Sequence, residues 1–284
     1  MVIMSNILNT NKYMVPYFKN MDLASLLSKI NGKIEILMTN FDDDFQKNYL
    51  KNMCSKHNAV TKKDIECLKK NYKLCYYYET LDFENIEFTI QGYDAIRKDI
   101  HRIIDSGFTY IMLSNPYIIE LICNEYSNDI KIIVSSQLEF NSERAKIFFE
   151  VINDTSCIES IVISQKHLSV EKFKRMKNCF KGLNLISEID RFSSEIQMVH
   201  EQYYNTIYGY YNENAVKYLK ELTLKITEDN NKYGIKDVSK IIFDNESIIK
   251  FGSPCSTYEL LEHNITSFES GNIENIKCCD LLMW

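Results

Sequence analysis

Short, largely apolar runs alternate with amphipathic helical stretches over most of this chain, and no other feature limits its fold as much. The runs Lys33–Thr39, Lys73–Glu79, Thr109–Leu113, Ile130–Ser135, Ser160–Ile163 and Leu183–Ile186 read as strands. Between them lie helical stretches: about Asp42–Cys54, the segment after a Thr61 cap, Ala95–Ser106, Tyr117–Glu125, Ser142–Ile152 and Val170–Phe180. In one of these, Ile96, Ile100, Ile103 and Ile104 recur at helical spacing, and Gly107 supplies a stop signal. A strand that is apolar on both faces has to be covered on both, which implies a parallel sheet clothed by helices. With six or more such strands in succession, closure is favoured over an open sheet. The fold class is therefore α/β, a TIM-like (β/α) barrel.

The alternation breaks after Ile186. From about Phe192 to Tyr233 the sequence is polar, tyrosine-rich and helical in pattern, which reads as a helical insertion on the barrel. Two short apolar pieces follow, Val238–Phe243 and Ser247–Phe251, and are expected to pair as a hairpin around Asp244-Asn245. A helix Thr257–His263 and a strand near Ile265–Phe268 are expected to finish the barrel. There is no low-complexity tract and no Pro/Gly linker, so residues 1–284 read as one domain.

Composition narrows the possible functions. The 8 glycines lie too far apart for a dinucleotide or Walker phosphate loop. Acidic residues outnumber basic ones, 39 to 33, which disfavours a dedicated nucleic-acid binder. No apolar stretch reaches the length of a membrane span, and the first residues lack a signal-peptide pattern, so the expected location is the cytoplasm. In that compartment the 9 cysteines are expected to be reduced. Cys54, Cys67, Cys123 and Cys179 read as small hydrophobes packed on helices, and the adjacent Cys278 and Cys279 are poor joint ligands for one metal. No C-x-x-C, H-E-x-x-H or G-x-S-x-G motif occurs.

Three stretches carry a family resemblance. They are Asn85-Ile86-Glu87-Phe88; Gly107–Ile122, where a strand ends in Asn115-Pro116; and Ile130–Lys146, where a strand ends in Ser135-Ser136 before a helix. In that order they resemble the U32 peptidase family, over about Val15 to Phe268. The resemblance implies a TIM-like barrel, in agreement with the alternation.

The departures from the family pattern matter as much. Where the family commonly has N-E-x-C-x-x-x-C-P-x-R-x-x-H, with cysteines that help to hold an iron–sulfur cluster, this chain reads SEIDRFSSEIQMVH. Glu188 and His200 match, but Asp190 and Ser194 replace the cysteines and Gln197 replaces the arginine. In a second signature, Ser253, Pro254 and Glu259 match, while Thr257 and Leu260 replace an arginine and an aspartate. Glu79 stands where an asparagine is expected. One carboxylate and one hydroxyl do not replace two thiolates in a Cys-ligated cluster. The resemblance therefore implies a divergent member with that cofactor lost, and no cofactor is expected.

Strand ends and the loops after them are where barrel enzymes assemble their sites. On that ground Glu87, Glu188 and His200 are the candidate catalytic residues, and Glu79, Asn115, Ser136, Asp190 and Glu259 the candidate ligand-binding residues; no metal ligand set is proposed. The plainer reading stays open beside it: Asn115 shapes a turn, the serines cap backbone, Glu259 sits on a helix face, and Asp190 makes a structural contact. Three functions compete. The first is a cluster-free barrel that acts on or binds a small molecule or peptide in a specialised biosynthetic or modification pathway. The second is a non-catalytic partner of a cluster-bearing homologue, and the third is a peptidase-type hydrolase.

Overall fold

The computed structural model describes residues 11–18, 21–41, 60–78, 83, 85–138, 145–152, 154–164, 170–190, 248–252, 258–272 and 275–276. Eight strands close into one barrel in chain order: β1 Lys12–Pro16, β2 Lys33–Thr39, β3 Lys73–Tyr78, β4 Tyr110–Leu113, β5 Lys131–Val134, β6 Ile158–Ser164, β7 Asn184–Glu188 and β8 Ile248–Lys250. Every neighbouring pair is parallel, including the closing β1–β8 pair. The described helices are α1 Leu23–Lys29, α2 Lys62–Leu68, α3 Ile90–Asp105, α4 Pro116–Glu125, α5 Lys146–Val151, α6 Val170–Cys179 and α7 Tyr258–Glu269. The (β/α) barrel expected from the alternation is the observed fold. None of the described helices is long and apolar enough to cross a membrane.

The strands are apolar on both faces because they serve two cores. Met14, Ile36, Met38, Cys75, Tyr110, Met112, Ile133, Val162 and Ile186 point inward and plug the barrel. Their neighbours one residue along, such as Val15, Leu37, Ile111, Leu113, Ile132, Ile161 and Leu185, pack outward with helix residues including Ile96, Ile100 and Ile103 of α3. This is the period-two alternation of a pleated strand with apolar chains on each side.

Local chemistry starts the helices at the strand exits. Asn115 caps α4 by accepting from the backbone N–H groups of Tyr117 and Ile118 at 3.0 and 3.3 Å, and Pro116 occupies the first turn, where no N–H is needed. Thr61 and Asp64 form a reciprocal capping box on α2. Thr89 opens α3 by accepting from Gly92 N at 3.1 Å.

Two expectations are corrected. Ile248–Lys250 is no hairpin arm: it pairs in parallel with β1 on one side and β7 on the other. A three-residue apolar run carries no information about its partner's direction. Val238–Phe243 and the expected insertion at 192–233 lie outside the described residues. Ile265–Phe268 belongs to α7 rather than to a strand. Its β-branched residues suit a strand, but Leu261, Ile265 and Phe268 fall on one helical face, and Phe268 meets Tyr13 and Phe251 with ring centroids 6.5 and 5.6 Å apart. Strand β1 and helix α1 were not expected from the sequence, and both lie before its first clear apolar run.

Gly92 permits one close approach that matters for the site. A Cβ added there would stand 2.0 Å from the carbonyl oxygen of Ile86, so the single 3-10 turn Ile86–Phe88 fits against α3 only because residue 92 has no side chain. Gly92→Ala is expected to destabilise the protein by about 1–3 kcal/mol, the usual range for overpacking. It also moves the turn that carries Glu87. Chemical denaturation measures the first effect, and amide shifts of residues 85–88 measure the second.

Candidate functional site

The barrel's inner face changes character at one end. Two residues beyond the plug, on the same face of each strand, Met38 gives way to Asn40, Met112 to Ser114, Ile133 to Ser135, Ile186 to Glu188 and Ile248 to Lys250. All five of these polar residues are buried. They make a polar layer over an apolar plug at the C-terminal mouth, the end where barrel enzymes carry their sites.

One half of this layer satisfies itself. Lys250 Nζ donates to Glu188 Oε1, and also to the carbonyl oxygen of Gly252 at 3.2 Å. Ser136 Oγ donates to the other carboxylate oxygen, Glu188 Oε2. Glu188 and Lys250 are register partners on adjacent strands, so the ion pair spans the β7–β8 seam directly. Two residues further on, Asp190 accepts from the backbone N–H of Gly252 at 2.8 and 2.9 Å, and from Asn264 Nδ2 of α7 at 3.0 Å. Burial pushes the Asp190 carboxyl up to about 6; the Asn264 and Gly252 hydrogen bonds and the Lys250 charge limit the rise.

The other half does not. Asn85, in the left-handed region at φ 65°, turns the chain into the 3-10 turn that buries Glu87. Asparagine tolerates that conformation better than other side-chain-bearing residues, which accounts for its place two residues before the glutamate. Asn115 Nδ2 donates to Glu87 Oε1 at 3.3 Å. Glu87 Oε2, Asn40 Oδ1 and Ser114 Oγ are buried and have no hydrogen-bond partner among the described residues.

The candidate residues therefore separate into groups. Glu87 with Asn115, and Glu188 with Ser136 and Asp190, lie at the mouth as expected. Glu259 does not join them: α7 turns Leu261 and Ile265 inward and leaves residue 259 exposed. Glu79 and His200 lie outside the described residues. Lys250, Asn40 and Ser114 were missed, and the signal that finds them is period two continued past the last apolar residue of each strand. Among the cysteines, Cys123 is buried as expected, but Cys67 is exposed. No group of three His, Cys, Asp or Glu residues able to hold a metal occurs among the described residues.

The structure of a U32 peptidase, Mk0906, superposes on this chain with a TM-score of 0.53 at 12% identity, covering 86% of this chain and 93% of that one. The fold is a U32-peptidase-like barrel. An aldolase, YdjI of Escherichia coli, matches with a TM-score of 0.39 at 9% identity over 81% of this chain and 94% of its own. No family model matches the sequence, and no curated protein does either.

Two predictions follow from the seam of this U32-like barrel. Lys250→Met leaves Glu188 buried without its cation and is expected to cost about 3–5 kcal/mol. Adding Glu188→Gln to that variant restores most of the loss, because the orphaned charge is gone. A double-mutant cycle in urea reads both numbers. For Asp190, the folded value lies above the ordinary 3.8, so its stabilising proton is fully held below about pH 4 and is lost as the pH rises through about 6. A shift of this size corresponds to about 3 kcal/mol. The stability difference between the natural chain and Asp190→Asn is expected to change across that window and to be flat outside it.

Proposed function

We propose that this chain is a cluster-free U32-like barrel that binds and acts on a small molecule or peptide at the C-terminal mouth, with Glu87 as the proton-transferring carboxylate. One observation carries the reading: three polar atoms, from Asn40, Ser114 and Glu87, are buried in one sector of the mouth without a partner among the described residues. Leaving such an atom unpaired costs about 1–3 kcal/mol. A ligand that supplies the missing partner recovers that cost on binding.

The roles differ by geometry. Glu87 has one carboxylate oxygen anchored by Asn115 and the other available to a ligand. Glu188 is engaged through both oxygens, by Lys250 and Ser136, and acts as a positioning residue. Asp190, at the first of the two cysteine positions, does not fit a cluster ligand: its oxygens are committed to Gly252 and Asn264. Iron–sulfur chemistry is therefore no part of the proposal, and protein purified without oxygen is expected to lack the visible absorption of a cluster. The hydrolase reading is weaker. Ser136 donates to Glu188, and the two described histidines lie elsewhere, His101 against Tyr126 and His263 against the Asn275 carbonyl. The partner-subunit reading draws on a different observation, the exposed Phe88 and Ile90 beside the mouth.

An allelic replacement tests the choice. Glu87→Gln keeps the shape and the Asn115 contact but removes the basic oxygen. It is expected to reproduce the metabolite changes of a full deletion while the purified variant melts at the natural temperature. If the variant keeps the natural metabolite profile and the deletion does not, Glu87 transfers no proton and the partner reading takes over.

A further inference from the structure

The charge balance of the mouth points to the class of its ligand. On the β7–β8 side the Lys250 ammonium is already neutralised by Glu188, and the same lysine is bound to the Gly252 carbonyl. On the β2–β4 side stands the Glu87 carboxylate, 4% exposed, which accepts a hydrogen bond from the neutral amide of Asn115. The second oxygen of that carboxylate and the Asn40 amide oxygen both accept hydrogen bonds and donate none; the Ser114 hydroxyl does either. Asn40 follows β2, Glu87 follows β3, and Ser114 follows β4, so adjacent strands bring all three to one sector. A buried set of acceptors with a net negative charge asks for a cationic donor.

The rim supplies the rest. Phe88, next to Glu87, is 64% exposed, and its ring centroid lies 5.0 Å from that of Tyr117 in the first turn of α4. The Tyr117 hydroxyl is held above its ordinary value, by burial first and then by the carboxylates of Glu125, Glu120 and Glu87. The rim is thus apolar and aromatic, and its field is negative.

We propose that the mouth recognises a primary ammonium group on a small apolar body, with the ammonium on Glu87 Oε2 and Asn40 Oδ1 and the apolar part against Phe88 and Tyr117. An ammonium offers three donors and one positive charge, which matches two or three acceptors and one carboxylate. A divalent cation matches less well. It needs several oxygen ligands, commonly with more than one carboxylate. Here Glu188 is tied to Lys250 and Glu87 already shares one oxygen with Asn115. The assignment rests on the reading of the mouth as a ligand site and names what that site takes.

The test uses the full chain, labelled with nitrogen-15, and three probes: 2-phenylethylammonium, 3-phenylpropionate and magnesium ion. The backbone N–H groups of Tyr117 and Ile118, held by Asn115, report on the site. Support is a saturable shift of those two amides with 2-phenylethylammonium, weakened about tenfold by Glu87→Gln, the size of one charge-assisted hydrogen bond. Asn40→Leu, which leaves Glu87 untouched, is expected to weaken binding about fivefold; it serves if Glu87→Gln does not fold. Equal or stronger shifts with 3-phenylpropionate overturn the ammonium assignment and leave the mouth as a ligand site. Shifts with magnesium that exclude the ammonium overturn it in favour of a metal. No shift with any probe overturns it as well, while the allelic replacement of Glu87 still decides the proton-transfer reading.

Discussion

A lysine ammonium buried beside a carboxylate at the β7–β8 seam is the interaction on which the rest of this barrel depends. The closing strand is three residues long, too short to hold two neighbours by backbone hydrogen bonds alone. Its side chains add what the ladder lacks. Lys250 reaches Glu188 across the seam, and two residues later Gly252 gives its N–H to Asp190. On the far side, the Phe251 N–H donates to the Met14 carbonyl of β1 at 3.0 Å. A buried ion pair is weak evidence of net stability, since desolvation offsets most of the attraction. What the pair does firmly is set register: a slip by one residue would turn Lys250 out of the barrel and leave Glu188 uncompensated inside it.

The fold was legible because the barrel needs a repeated pattern and this chain supplies it. Each of the runs from Lys33 to Ile186 is apolar on both faces, and each is followed by a stretch that can cap and cover it. The ends were harder. β1 and β8 are short, and neither is flanked by a pattern that names a partner; closure joins them across 232 residues of sequence, from Pro16 to Ile248. Such contacts leave no local signature. The error at Ile265–Phe268 has the opposite cause: β-branched residues there suggested a strand, while packing against Tyr13 and Phe251 holds them in a helix.

The site was half legible for a related reason. Glu87, Asn115, Ser136, Glu188 and Asp190 announce themselves as polar residues beside motif-like turns. Lys250 does not, because a lysine after two isoleucines reads as the solvated end of an edge strand. Only a closed barrel makes that position internal. Asn40 and Ser114 are hidden in the same way: each comes immediately after its strand, where a polar residue ordinarily marks the return to solvent. Asp190 was visible, but its work was not, since its partners Gly252 and Asn264 lie more than sixty residues away.

The mouth divides its polar groups between two tasks, and the division bears on how such a site can change. The seam half is internally satisfied, so altering any member strands a charge or a donor, and the fold resists it. The half formed by Asn40, Glu87 and Ser114 carries unpaired atoms that lower stability by about 1–3 kcal/mol each. Replacing those three residues with apolar ones of similar size would relieve that cost without disturbing the seam. Three of these atoms fall in one sector of the mouth, beside an exposed aromatic rim and opposite a closed ion pair, and the ligand reading rests on that placement. Asp190 belongs to the satisfied half: it accepts from the chain turning out of β8 and from α7, and so ties the closing strand to the helix that follows it.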